Sequence, residues 1–77
     1  MPYIRKERRE DIEEFESIGE LNYLITMMCK TWLEQHGTNY ASINEVIGAL
    51  ECAKLEFYRR IAVPYESKKI QENGDVY

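Results

Sequence analysis

The segment of residues 42–63 constrains the fold most strongly, because its apolar residues recur at helical spacing on two separate sides. At 1.5 Å per residue, a helix over this segment is about 33 Å long. The main stripe contains Ile43, Val46, Ile47, Leu50, Ala53, Phe57 and Ile61. The second stripe contains Ala49, Cys52, Leu55, Tyr58 and Ala62 and continues past the segment to Tyr65. One neighbouring helix covers only part of such a surface, so we expect the chain to associate with copies of itself.

A second amphipathic helix is predicted upstream of this segment. Ser17 and Glu20 have the spacing of a capping box, which starts a helix, and Gly37 directly after His36 is a typical stop. The apolar positions between these signals are Leu21, Leu24, Ile25, Met28, Trp32 and Leu33. Their spacing of three and four residues indicates that they share one face of the helix.

The connection between the two predicted helices is short, because only residues 38–41 are available for it. Ser42 and Glu45 repeat the capping-box spacing, which predicts that the long helix begins there. Helices joined by so few residues pack as antiparallel neighbours. The sequence therefore predicts an all-α fold, namely an antiparallel helical hairpin in a single domain of residues 1–77. We expect this domain to form a homodimer or a larger symmetric oligomer.

The N-terminal part is predicted to add two minor elements. Residues 1–4 are typical of an extended arm, because Pro2 disfavours helix in the residue before it. Residues 5–16 are dense in charge of both signs, with Ile12 and Phe15 as their apolar anchors. This three-residue spacing favours a short, solvated helix lying against a larger structure.

The C-terminal part contains a proline inside the helical pattern. Pro64 lacks a backbone donor and clashes with the preceding turn, so the long helix is predicted to end or kink near Val63. Residues 65–73 have a helical composition and are expected to continue as a separate or bent helix, which Gly74 closes. The sequence leaves open whether the tail after Gly74 docks or is frayed.

Composition and charge argue against several classes of protein. The net charge of −4 disfavours a nucleic acid polymer as the main partner. No stretch approaches the ~18 consecutive apolar residues of a membrane span, and the first residues lack the apolar region of a signal peptide. Cys29 and Cys52 match neither a disulfide framework nor a metal motif, so they are predicted to be buried thiols in a reducing cytoplasm.

No constellation of residues indicates catalysis. The single histidine, His36, lies in the last turn of its helix, where a cationic or donor side chain interacts with the free carbonyls. No serine or cysteine has a base at a recognisable spacing, and the chain carries neither a phosphate-binding glycine loop nor a zinc motif. The prediction is a protein that is not an enzyme and uses no metal or cofactor.

Binding is better supported, because aromatic and basic residues follow one another along the long helix. The candidate ligand-binding residues are Lys54, Tyr58, Arg59, Arg60 and Tyr65, with Tyr40 and Asn44 near the start of the helix. Arginine and lysine pair with phosphates, and aromatic rings stack on bases. The same residue types are also enriched at protein interfaces, so an interface and a ligand pocket between subunits both remain open.

Three stretches of the sequence resemble a family of small, mostly uncharacterised proteins from phages and prophage-like regions of bacterial genomes. They are residues 1–4, residues 19–23 and residues 40–77. Within the third stretch, the most specific pieces are residues 43–48, 58–60 and 64–66, and the ending 72–77 matches as well. Residues 5–17 form the variable part. This resemblance supplies no functional residues.

A weaker likeness concerns a class of proteins. In size, acidity and its set of tyrosine, arginine and lysine residues, the chain is similar to the oligomeric phage proteins that sequester cyclic nucleotide signals of bacterial immune systems such as CBASS and Thoeris. The likeness implies a non-catalytic protein that binds a small cyclic nucleotide between subunits in the host cytoplasm. The alternatives are a helical module that docks on a host enzyme and a structural phage protein without a ligand.

Overall fold

The computed structural model of the protein describes residues 5–9 and 14–77, and these residues are mainly helical. The α-helices are α1 (Ile18–His36), α2 (Tyr40–Phe57) and α3 (Val63–Asn73). A 3-10 helix spans Lys6–Arg8, and a π-helix over Tyr58–Ala62 joins α2 directly to α3. No strand occurs in the described ranges. The prediction of an all-α protein is therefore confirmed.

Helix α1 begins and ends where the sequence predicts. The Ser17 hydroxyl oxygen accepts a hydrogen bond from the Glu20 N–H at 3.3 Å, as an N-cap does. The Glu20 carboxylate accepts from the backbone N–H of Glu16 at 3.1 Å, one residue earlier than in the standard capping box. At the other end, Gly37 has a φ of 94° and donates to the Leu33 carbonyl at 2.7 Å. A positive φ suits glycine, which explains the stop.

The predicted helix over residues 5–16 is wrong in its described part. Only the single turn Lys6–Arg8 is helical, closed by the Arg9 N–H donating to the Lys6 carbonyl at 3.2 Å, and residues 14–16 are not helical. The described anchor, Phe15, keeps 57% of its surface exposed. A short helix without a buried apolar face lacks the packing that stabilises most helices. The anchor Ile12 and the predicted arm of residues 1–4 lie outside the described residues.

Helix α2 starts earlier than predicted. The side-chain oxygen of Asn39, and not that of Ser42, accepts the hydrogen bond at the start, from the Ser42 N–H at 2.9 Å. The Ile43 N–H donates to the Asn39 carbonyl at 3.0 Å. Asparagine is as strong an N-cap as serine, and capping at Asn39 adds the first turn from Tyr40 to the helix. The capping box at Ser42 and Glu45 is therefore a wrong prediction, and Ser42 is buried inside the helix.

Pro64 does not end the helical backbone. The π-helix comes directly before it, and the Val63 N–H donates to the Tyr58 carbonyl five residues earlier. Pro64 then lies in the first turn of α3, where a missing N–H costs little. The predicted end of the helix near Val63 is therefore corrected to a change of helix type at that point, while the alternative of a kink stays a prediction. Gly74, with a φ of 85°, closes α3 as predicted.

Apolar side chains are poorly buried throughout the described residues. Only Glu20 and Ser42, each 4% exposed, are buried, and no described apolar side chain is. Cys29 is half-buried and Cys52 is exposed, so the predicted burial of both thiols is wrong for Cys52. The chain divides into two units between Ile43 and Asn44. The hairpin, the single domain and the oligomer stay predictions. None of the described helices has both the length and the apolar character needed to cross a membrane.

Candidate ligand-binding site

An open cleft of about 540 Å³ lies within the unit of residues 44–77. Helix α3 ends at Gly74, whose N–H donates to the Ile70 carbonyl at 2.8 Å. The residues after this glycine line the cleft together with residues of α3. The cleft is lined by Tyr58, Tyr65, Glu66, Lys69, Ile70, Asn73, Gly74, Asp75, Val76 and Tyr77. The tail is thus part of the cleft wall, although Val76 and Tyr77 remain almost fully exposed.

The polar and aromatic groups of this cleft come from the π-helix, from α3 and from the tail. The Lys69 ammonium lies 5.6 Å from the centre of the Tyr65 ring, within the range of a cation–π contact, and 3.2 Å from the Glu72 carboxylate. The Asp75 carboxylate accepts from the Tyr77 N–H at 2.9 Å, which shapes the tail into a local turn. The cleft therefore combines aromatic faces and one ammonium with carboxylates on its walls.

Two of the predicted site residues meet in this cleft. Tyr58 and Tyr65 are 53% and 61% exposed, so both rings are available to a ligand. Tyr58 is the first residue of the π-helix, and Tyr65 lies in the first turn of α3. Their pairing depends on the backbone continuing past Pro64.

The three predicted cations do not line the cleft. The Lys54 ammonium lies 3.3 Å from the Glu51 carboxylate. The Glu56 carboxylate lies 3.6 Å from the Arg59 guanidinium and 3.2 Å from the Arg60 guanidinium. All these side chains are at least half exposed, so each pair contributes only about 0–1 kcal/mol. Such weak pairs leave the cations able to exchange their carboxylate for another anion.

The remaining predicted site residues, Tyr40 and Asn44, are both exposed near the start of α2. Neither belongs to the residues that line the cleft. Tyr40 is 81% exposed, so its ring has little contact with the protein. The structure therefore leaves both without an observed role in a site.

Sequence reasoning missed Lys69 and Asn73. A usable signal was present, since Tyr65, Lys69 and Asn73 recur every four residues and therefore share one face of α3. The neighbouring arginines Arg59 and Arg60 are the stronger basic signal in the sequence, so a prediction from residue type favours them over Lys69. The cleft thus has its cation on α3.

His36 has the local role that its position predicts. Its ring stacks on Trp32, with centroids 3.8 Å apart, and its Nδ1 atom lies 3.1 Å from the Trp32 carbonyl oxygen. Both contacts join His36 to Trp32, which lies one helical turn earlier on α1. The histidine therefore closes the last turn of that helix. Within the described residues, no three histidine, cysteine, aspartate or glutamate side chains form a group that could hold a metal ion.

These observations define a small all-α protein with an open cleft of tyrosines and one lysine at its C-terminal end. The chain belongs to the family of the domain of unknown function DUF6899, whose family model matches residues 1–76. The resemblance to a family of uncharacterised proteins is therefore confirmed, while nothing in this match ties it to phages or to cyclic nucleotides. Comparisons with curated proteins and with solved structures find no match.

Proposed function

We propose that the protein is a non-catalytic binding protein that takes a small anionic nucleotide into the cleft of residues 58–77. The observation that carries this proposal is the presence of Tyr58, Tyr65 and Lys69 in one cleft. A tyrosine ring that stacks on a base is worth about 1–3 kcal/mol. The lysine ammonium pairs with a phosphate, and the Asn73 amide offers both donors and an acceptor to the edge of a base.

The carboxylates of the cleft favour a nucleotide with little charge on each phosphate. Glu66 and Asp75 line the cleft beside Lys69, and their charges repel an anion. The diester phosphates of a cyclic nucleotide carry one negative charge each, whereas a terminal phosphate in a triphosphate carries about two. A cyclic nucleotide therefore fits this electrostatic environment better than a triphosphate.

The openness of the cleft favours a site completed by a second subunit. Its volume of about 540 Å³ lies in the range of ~300–1,000 Å³ typical of small-molecule sites. Such sites bury most of the ligand surface, yet the Tyr65 ring is 61% exposed here. A second copy would supply the missing wall, and Lys54, Arg59 and Arg60 would supply further phosphate contacts from its surface. In a phage-infected cell, such an assembly would sequester an immune signal.

Calorimetric titration of the wild-type protein tests this proposal. The panel contains cyclic mono-, di- and trinucleotides and cyclic ADP-ribose, with ATP as the acyclic comparison. We expect micromolar binding of a cyclic member, loss of it in Tyr65→Leu, and at least about tenfold weaker binding in Lys69→Gln. Lys68→Gln is the matched control, because Lys68 is adjacent and does not line the cleft. Absence of heat with every member, or equal effects of the two lysine variants, would contradict the proposal.

A second candidate function rests on the exposed apolar residues of α2. Ile47 and Phe57 are 58% and 67% exposed, which suits a helical module that docks on another protein. Recovery of a stoichiometric host enzyme with the wild-type protein, but not with Ile47→Ala, would favour this module. In the nucleotide titration described above, recovery of the nucleotide unchanged would show that the protein binds it without converting it.

A further inference from the structure

An uncharged seam runs along α2, the π-helix and the start of α3. It consists of Ile43, Val46, Leu50, Ala53, Phe57, Ile61 and Tyr65, called here the helix seam. The first five residues alternate in steps of three and four, which is the a/d spacing of helices that pack along each other. No charged residue belongs to the helix seam.

The π-helix keeps this seam apolar. In an uninterrupted heptad pattern, the residues after Phe57 would be Arg60 and Pro64. The Val63 N–H donates to the Tyr58 carbonyl five residues earlier, so this turn holds one residue more than an α-helical turn. The pattern therefore moves on by one position, and Ile61 and Tyr65 take the places of the arginine and the proline.

The seam lies open to solvent. Leu50, Phe57 and Ile61 are 42%, 67% and 57% exposed. The other seam residues are exposed too, except for the half-buried Val46. Contiguous exposed apolar residues of this kind usually mark an interface with another protein.

We propose that the helix seam is the surface on which a second copy of this chain packs. A two-fold pair is self-complementary, so an uncharged seam on one copy meets the same seam on the other without burying an unpaired charge. The inference rests on the oligomeric part of the proposed function and names its partner, but it does not require a nucleotide. Tyr65 belongs to both the seam and the cleft, so the second copy would also border the ligand.

Sedimentation equilibrium of the full chain without nucleotide tests the seam. We compare Leu50→Glu with Leu55→Glu, because both leucines lie on α2 with similar exposures of 42% and 47%, while only Leu50 belongs to the seam. The expected result is a wild-type dimer near twice the mass of 9.2 kDa. Leu50→Glu should weaken the dimer at least about tenfold, since it places a charge in the buried seam, and Leu55→Glu should leave it intact.

Phe57→Ala provides a second test that adds no charge, and it should also weaken the dimer while circular dichroism still shows helix. A wild-type monomer at micromolar concentration, or equal effects of Leu50→Glu and Leu55→Glu, would contradict the proposal that a second copy packs on the helix seam. A larger assembly that is selectively sensitive at Leu50 and Phe57 supports it. A dimer that is sensitive at Leu50 and Phe57 but binds no nucleotide would support self-association through the helix seam and contradict only the proposed function.

Discussion

The backbone N–H of Val63 donates to the carbonyl of Tyr58, five residues back, directly before Pro64. This one bond marks the wide turn that carries the helix from α2 into α3. A proline in the interior of an α-helix clashes with the carbonyl four residues earlier, which here belongs to Arg60. The wide turn removes the regular α-helical pairing at that point, so the chain stays helical and brings Tyr58 and Tyr65 to the same cleft.

Replacement of Pro64 tests this link between the wide turn and assembly. In Pro64→Ala, residue 64 regains an N–H that can donate to Arg60, so we expect the π-helix to relax to an α-helix. Arg60 would then enter the helix seam in place of Ile61, and self-association should weaken at least about tenfold. Amide shifts of residues 58–63 report the change of turn, and sedimentation reports the assembly. Unchanged amide shifts and an unchanged dimer would contradict this account.

The start of α2 gives a prediction that separates two possible caps. Asn39→Ala should lower the free energy of unfolding by about 1 kcal/mol, because it removes the acceptor of the Ser42 N–H. Asn39→Asp keeps an acceptor at the same place and should retain most of the stability. Chemical unfolding followed by circular dichroism measures both. A loss in Ser42→Ala larger than that in Asn39→Ala would restore Ser42 as the cap.

Replacement by alanine is expected to change the stability of the protein in opposite directions at two glycines. Gly37→Ala should destabilise the protein by about 1–2 kcal/mol, because φ of residue 37 is 94° and the added Cβ would lie 3.3 Å from the side-chain nitrogen Nδ2 of Asn39. Gly48→Ala is the matched control, since its Cβ meets nothing within 4 Å in the middle of α2. It should stabilise the helix by about 1 kcal/mol. Thermal unfolding of both variants checks the difference in sign, and a stabilised Gly37→Ala would contradict it.

Glu56 offers a test of the arginines as phosphate contacts. Its carboxylate pairs with both Arg59 and Arg60, so Glu56→Gln frees two guanidinium groups at a cost in stability of less than about 1 kcal/mol. If the arginines contact phosphate, the variant should bind the nucleotide several-fold more tightly at low salt, with the gain lost as salt is added. Glu45→Gln makes the same change of net charge and is the control. Equal affinities in the two variants would assign the phosphate contact to Lys69 alone.

The candidate site was only partly predictable from the sequence. Aromatic residues stand out on an amphipathic helix, so the sequence predicts Tyr58 and Tyr65, and both line the cleft. The sequence also predicts Lys54, Arg59 and Arg60, but these cations pair with carboxylates one turn away and do not line the cleft. Lys69 lines the cleft without being predicted, although it lies four residues after Tyr65. Composition shows which residue types are present, whereas their grouping depends on where the backbone turns.

The sequence by itself determined the local features of this protein. The cap at Ser17, the stops at Gly37 and Gly74 and the helical periodicity depend on contacts within about one turn, so neighbouring residues suffice to predict them. Tertiary structure decided how the chain passes Pro64 and which side chains line the cleft. These outcomes depend on competition between backbone hydrogen bonds over several turns and on the path of the tail, and no short sequence pattern encodes either of them.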